Sequence, residues 1–327
     1  MLGQMKEKID IAVCTDERFV MPTGVMMLSV CENNPETDIV FHIIVDDNMK
    51  AKDRRDLEEI VVPYRGKSVV FYHTSDKMQK ESFPPGKNRK DITKATYYRL
   101  YLAELLPQEL DKVLYLDGDL IVRHSLLPLW NTDLEGKAIA AVSDAISGFI
   151  EIYNRLKYPF DLGYFNAGVL LVNLKYWREH QVLRAFESYM ERCADSIKYW
   201  DQDVLNAVLC EQKVLMPIKY NLQRNFLLKK KDFDYWKVEK ELKEALADPC
   251  IVHYTTKYKP WKIYQDNPHP FNSTWDKYQE MTKWKGIKYD CRTVKQRFKS
   301  FVVSILRKAG VSPVSKKSVY VDVAPVD

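Results

Sequence analysis

The sequence predicts an α/β protein built on a mostly parallel central sheet, and three observations carry that reading. Short apolar runs alternate with segments of helical spacing, the interval of a parallel sheet layered with helices. One run, Lys112–Val122 (Lys-Val-Leu-Tyr-Leu-Asp-Gly-Asp-Leu-Ile-Val), stays apolar until it meets Asp117-Gly118-Asp119, as a strand buried on both faces does. Neither Gly-x-Gly-x-x-Gly nor a Gly-Lys-Ser/Thr loop follows any of the strands, which counts against dinucleotide oxidoreductases and P-loop enzymes.

The elements follow in order. Ile9 to Thr15 reads as a first buried strand ending at Asp16, Pro22 to Glu32 as a helix, and Ile39 to Val45 as a second strand. Lys50 to Val61 has helical spacing through Leu57, Ile60 and Val61, and Ser68 to Tyr72 is a third strand. Ser82 to Asp91 is a Pro/Gly break with three basic residues, either a lid or a solvated connector. From Thr93 a helical start places Tyr98, Leu102 and Leu105 on one face; its Arg99 either reaches an anionic ligand or is an exposed charge. Lys137 to Ser143 is a short strand ending at Asp144, and Phe165 to Asn173 is a strongly apolar run with Asn166 at its start. Leu183 to Cys193 is an amphipathic helix, and Tyr199–Asp203 opens another, where Asp203 reads as a cap or dipole partner. Cys250 to Tyr254 is the final short strand, with Lys257 and Lys259 just beyond it.

Bulk properties narrow the class. Hydrophobic residues make up 46% of the chain, enough for a packed core, and no apolar run approaches the roughly 18 residues of a membrane span. The start lacks an apolar signal core, so a cytoplasmic protein is expected. Six scattered cysteines without a Cys-x-x-Cys pair suit buried reduced thiols better than zinc or disulfides. Positive charge is concentrated late: Lys283 to Lys308 holds nine Lys or Arg and one acid, so with +5 overall the rest of the chain is slightly acidic. That excludes a generally basic nucleic-acid binder. Val294, Phe298, Phe301, Val302 and Ile305 form one apolar face within this basic stretch. Such a helix either docks on an anionic membrane or packs on the rest of the protein.

Chemistry is expected at Asp117 and Asp119. Two carboxylates at the carboxyl end of a buried strand lie where open α/β sheets bind ligands, and hard oxygen donors suit a divalent cation carrying a phosphate. Asp201/Asp203 and Asp232/Asp234 repeat the spacing without the buried strand. His253, at another strand end, is either a hydrogen-bonded structural residue or a ligand beside lysines suited to phosphate.

Taken together, Lys-Val-Leu-Tyr-Leu-Asp-Gly-Asp (112–119), Phe-Asn-Ala-Gly-Val-Leu-Leu-Val-Asn (165–173), Trp-Asp-Gln-Asp-Val-Leu-Asn (200–206) and His-Tyr-Thr-Thr-Lys-Tyr-Lys-Pro-Trp (253–261) resemble glycosyltransferase family 8. Four motifs in the family's order and spacing, between about Ile9 and Trp261, are specific where each alone is not. The resemblance implies the nucleotide-sugar fold called GT-A, a UDP-hexose donor, Mn²⁺ (with Mg²⁺ as the alternative), and transfer with retention at the anomeric carbon. It implies Asp117, Asp119 and His253 as metal ligands, Asp16 at the uracil end and Lys259 on the diphosphate. Arg99, Asn166 and Asp201 would contact the donor sugar, Gln202 would lie beside the reacting carbon, and Asp144 would face the acceptor. Arg18 and Thr256 depart from the pattern, in which a small polar residue and a glycine are frequent. Both departures bear on how the ribose and diphosphate are held.

Three regions are expected: a GT-A catalytic domain over 8–262, a helical basic extension over 263–309, and a flexible tail over 310–327. The acceptor would be a saccharide of the lipopolysaccharide core or another cell-surface glycan, free or lipid-linked. The enzyme would sit on the inner face of the cell membrane through its basic helix. A sugar-1-phosphate nucleotidylyltransferase would share the fold but needs a Gly-rich loop where Cys14-Thr-Asp-Glu-Arg-Phe stands. A non-catalytic nucleotide-sugar-binding protein is the other alternative, and the intact Asp117, Asp119, Gln202 and His253 argue against it.

Overall fold

The computed structural model describes residues 7–74, 78, 83–84, 93–228, 239–263, 269–308 and 320–321. The central sheet has seven strands: β1 (Lys8–Cys14), β2 (Asp38–Val45), β3 (Lys67–His73), β4 (Lys112–Leu116), β6 (Ile139–Ser143), β7 (Phe165–Asn173) and β8 (Lys213–Met216), in the order β3-β2-β1-β4-β7-β6-β8. A second sheet pairs β5 (Leu120–Val122), β10 (Ile251–His253) and β9 (Leu222–Gln223) in the order β5-β10-β9. The mostly parallel α/β architecture is therefore as expected, with β7 alone antiparallel to both neighbours.

That reversal matters for position. Because β7 runs against β4 and β6, its first residues lie at their carboxyl ends, where Val169 pairs with Leu116 and Phe165 with Ser143. Asn166 thus arrives at the edge that ligands use in such sheets. A register shift between Ala141 and Ser143 sits just before Asp144, the kind of bulge that re-aims a following side chain.

Apolar residues cover both faces of the sheet. One face is closed by helix α1 (Val20–Asn33), α2 (Ala51–Val61) and the second sheet, the other by the segment 94–106, by helix α3 (Val182–Arg192) with its Phe186, and by the helices around Trp177 and Leu205. Phe271, Trp275 and Tyr278, on and next to α4 (Asn272–Glu280), join the first of these clusters, so this part of the 263–309 stretch is packed in the core. Beyond the small pairing of β11 (Lys262–Ile263) with β12 (Tyr289–Asp290), helix α5 (Val294–Lys308) is different. Its Val294, Phe298, Phe301 and Ile305 are 83, 68, 62 and 49% exposed, so the helix does not bury that face on the described residues.

Five expectations need correction or placement. All six cysteines are free, but only Cys31 and Cys250 are buried and Cys291 is exposed, so most are not core thiols. Lys94–Tyr101 is a 3-10 helix rather than the start of an α-helix, which continues only over Leu102–Leu105. The lid or connector at Ser82–Asp91 lies outside the described residues apart from Phe83, which stacks on Tyr97 at 4.7 Å, and Pro84. Asp232/Asp234 and nearly all of the tail also lie outside them.

Candidate active site

The short strand β5 follows Asp119 immediately, and β10 pairs with it antiparallel, setting His253 opposite Leu120. The Tyr254 amide donates to the Asp119 carbonyl at 3.0 Å and closes the pairing. A histidine 134 residues away in sequence is thereby placed with its Nε2 3.2 Å from Asp119 Oδ1 and 3.7 Å from Asp117 Oδ2. One ligand atom from each of Asp117, Asp119 and His253 lies within 4.8 Å of the others.

Small residues make this approach possible. A Cβ on Gly168 would lie 2.2 Å from His253 Cε1 and 2.8 Å from Asp117 Oδ2, and one on Gly118 would lie 2.6 Å from Thr23 Oγ1. The middle residue of Asp117-Gly118-Asp119 is thus constrained by packing on α1, and Gly168 leaves room around the cluster. Two carboxylates and an imidazole behind a glycine fit a divalent cation.

The charges are balanced locally. Arg99, itself buried, sets Nη2 3.0 Å from Asp117 Oδ1 and Nε 2.9 Å from Asp201 Oδ2, and donates Nη1 to the Ala167 carbonyl at 2.7 Å. It is therefore not an exposed helix charge. Tyr115 donates its hydroxyl to Asp117 Oδ1 at 2.9 Å. Lys259 pairs with Asp119 Oδ2 and donates to the Tyr254 carbonyl at 2.7 Å. Burial disfavours the ionised Asp119, but Lys259 and His253 outweigh it and hold the carboxyl well below its usual range. At Asp201 burial wins over Arg99 and the Thr96 hydroxyl, and the carboxyl is pushed up to about 6.

Asp144, Asn166 and Gln202 form one hydrogen-bonded group beside this cluster. Asn166 Nδ2 donates to Asp144 Oδ2 at 2.9 Å and to Gln202 Oε1 at 3.2 Å, while Gln202 Nε2 donates to Asp144 Oδ2 at 3.0 Å. Gln202 Oε1 also accepts the Ala167 amide at 3.1 Å, so both of its lone pairs face N–H donors. Asp203 keeps a structural role larger than a cap. It accepts the Lys198 and Tyr199 amides at 2.7 Å each, and meets Arg155 at 2.6 Å and the Tyr164 hydroxyl at 2.8 Å.

All ten residues singled out from the sequence line one cavity of about 700 Å³, which reaches from Asp16 to Asp144. At its far end Asp16 accepts the Arg18 amide at 2.9 Å and the Thr93 hydroxyl at 2.7 Å. Sequence reasoning passed over Thr96, Gly168, Asn221 and Gln223. Of these, only Gly168 stood inside a quoted motif.

Thr256 lines the same cavity with φ +74°, a left-handed conformation that a β-branched residue adopts only under strain. The glycine frequent at this place in the family pattern would bear no such cost. Thr256→Gly is expected to raise unfolding stability by about 1 kcal/mol, the relieved strain being partly offset by backbone entropy. Urea denaturation measures this, and an unchanged or lower midpoint without a change in slope contradicts the strain.

The chain is similar to known proteins over most of its length. Residues 10–264 match the family described as Glycosyl transferase family 8. General stress protein A of Bacillus subtilis (strain 168) is 27% identical over 284 residues, covering 86% of this chain and 96% of that protein. Lipopolysaccharide glucosyltransferase WaaO of Escherichia coli (strain K12) is 28% identical over 285 residues, covering 85% and 79%. Among solved structures, a galactosyltransferase LgtC in complex with donor and acceptor sugar analogs superposes with a TM-score of 0.72 at 26% identity, covering 89% of this chain and all of that one.

Proposed function

The chain belongs to glycosyl transferase family 8, and on that premise we propose that it moves glucose or galactose from a UDP-sugar to a saccharide hydroxyl with retention of configuration. The observation that carries the reading is the convergence of Asp117, Asp119 and His253 at the carboxyl edge of the GT-A sheet, inside a cavity large enough for a nucleotide sugar. The glucosyltransferase and galactosyltransferase similarities favour a hexose, and the relative named for lipopolysaccharide favours a cell-surface glycan acceptor.

Asp117, Asp119 and His253 would hold Mn²⁺, or Mg²⁺ in its place, and the bound ion would stabilise the charge that develops on departing UDP. Asp16 would hold the uracil end, where its carboxylate is already oriented by Arg18 and Thr93. Lys259, paired with Asp119 in this structure, would exchange that oxygen for the donor's diphosphate once Asp119 is engaged by metal. Arg99, Asn166 and Asp201 would line the donor sugar, and Asp144 would face the acceptor.

A carboxylate nucleophile is the usual device of retaining glycosidases. Here the residue assigned beside the reacting carbon is Gln202, whose amide oxygen is saturated by two N–H donors. Asp201 is turned into Arg99 and Thr96. An amide is a poor nucleophile and Asp201 is engaged by other groups, which favours attack by the acceptor hydroxyl from the leaving-group side, with the departing phosphate as its base. Gln202 would position and stabilise.

Helix α5 would dock on the anionic inner face of the cell membrane. Its apolar residues are exposed, and Arg292, Lys295 and Arg297 stand at or before its first turn. No helix among the described residues is long and apolar enough to cross a membrane, so contact would be peripheral.

Two experiments test these readings. Mn²⁺-dependent hydrolysis across a panel of nucleotide sugars is expected to favour UDP-glucose or UDP-galactose, and Asp117→Asn is expected to abolish it; undiminished hydrolysis removes Asp117 from the ligand set. Truncation after Lys285 is expected to abolish low-salt binding to vesicles containing anionic lipid, and retained binding rules out the helix as the docking element.

A further inference from the structure

Behind the candidate metal ligands lies a chain of buried amides whose bond directions are fixed from one end. The Gly168 N–H can only donate, and it donates to Asn166 Oδ1 at 3.0 Å. Asn166 Nδ2 therefore faces Asp144 and Gln202, as the Asp144 carboxylate requires. Asn221, fully buried, must then turn its Nδ2 to Asn166 Oδ1, at 2.9 Å, which leaves its Oδ1 against His253 Nδ1 at 2.9 Å. An oxygen acceptor there requires the proton on Nδ1. Nε2, the nitrogen facing Asp117 and Asp119, is left as the atom for ligation.

The same short stretch holds the far side of the site. Gln223, opposite His253 in the β9–β10 pairing, accepts the Ala145 amide and donates to the Ser143 carbonyl, each at 2.9 Å, so it grips the backbone on both sides of Asp144.

We infer that Asn221 is a positioning residue: it sets the ring orientation and proton location of His253 and, through Asn166, couples His253 to Gln202 and Asp144. The inference rests on the reading of Asp117, Asp119 and His253 as cation ligands. Ligating histidines that lose the partner of their second nitrogen typically lose metal affinity about 10–100-fold.

The test uses the full chain, Mn²⁺ titration followed by electron paramagnetic resonance, and the His253 Nδ1–H signal in the Mg²⁺-loaded protein. Asn221→Leu keeps the branched side-chain shape and removes the acceptor; Mn²⁺ affinity is expected to fall about 10–100-fold, with loss of the Nδ1–H signal. Asn221→Asp keeps an acceptor for Nδ1–H and loses the donor to Asn166; affinity is expected to be no weaker than wild type while donor hydrolysis falls. The aspartate arm decides alone if the leucine variant does not fold. Wild-type affinity or an intact Nδ1–H signal in Asn221→Leu, or weakened Mn²⁺ binding in Asn221→Asp, overturns the inference. A wild-type protein that takes up no Mn²⁺ defeats the cation reading itself, and the inference falls with it.

Discussion

Three residue pairs, Ile251 with Val122, Val252 with Ile121 and His253 with Leu120, are the constraint on which the site depends. Without them the Asp-Gly-Asp turn is only a pair of acids at a strand end, one of three Asp-x-Asp pairs in the chain. With them an imidazole from a distant segment closes the group, and Lys259 follows on the same loop. Because side chains alternate along a strand, a slip of one residue would turn His253 to the opposite face of β10. Five of the six residues are aliphatic and fully buried, so burial holds the strands together, and the Tyr254 amide bond to the Asp119 carbonyl at 3.0 Å closes the pairing in this register.

The second constraint is electrostatic. Asp117, Asp119 and Asp201 share a poorly solvated space with Arg99 and Lys259, and none of these charges could be left alone there at acceptable cost. Arg99 bridges two of the carboxylates, which is work suited to a planar, permanently charged group with several donors. Lys259 places a single charge on one oxygen of Asp119 and is held there by the Tyr254 carbonyl. The Arg99 cation therefore belongs to the architecture, and under the proposed function Lys259 would be the charge that meets the departing diphosphate. The strained turn at Thr256 lies between His253 and Lys259, so the loop that bears this charge is also where backbone strain is stored.

Much of this was legible in the sequence for a physical reason: buried strands are continuous apolar runs, and Asp16, Asp117 and Asp144 each mark where such a run ends. The α/β class and the placement of those carboxylates on one edge followed directly. What did not follow was set by strand direction and short pairings. Periodicity does not reveal that β7 runs backward, although that reversal is what delivers Asn166 to the edge. Asn221 and Gln223 sit in or beside a two-residue strand, too short for any pattern to register, and their partners lie 32 and about 80 positions away. Arg99 was visible as a charge near the site, but its burial depends on a 3-10 turn that its sequence does not distinguish from an α-helix. The apolar face of α5 was legible; whether the protein covered it was a question only the packing could answer.

The central claim is that one divalent ion is held jointly by the two acids of the strand end and the imidazole of the paired strand. Anomalous diffraction from crystals grown with Mn²⁺ and UDP tests it most directly. A single manganese peak in bonding contact with Asp117, Asp119 and His253 Nε2, with Lys259 moved from Asp119 to the diphosphate, is the result expected. Manganese bound elsewhere, or UDP bound with His253 still hydrogen-bonded to Asp119 and no metal between them, would contradict it.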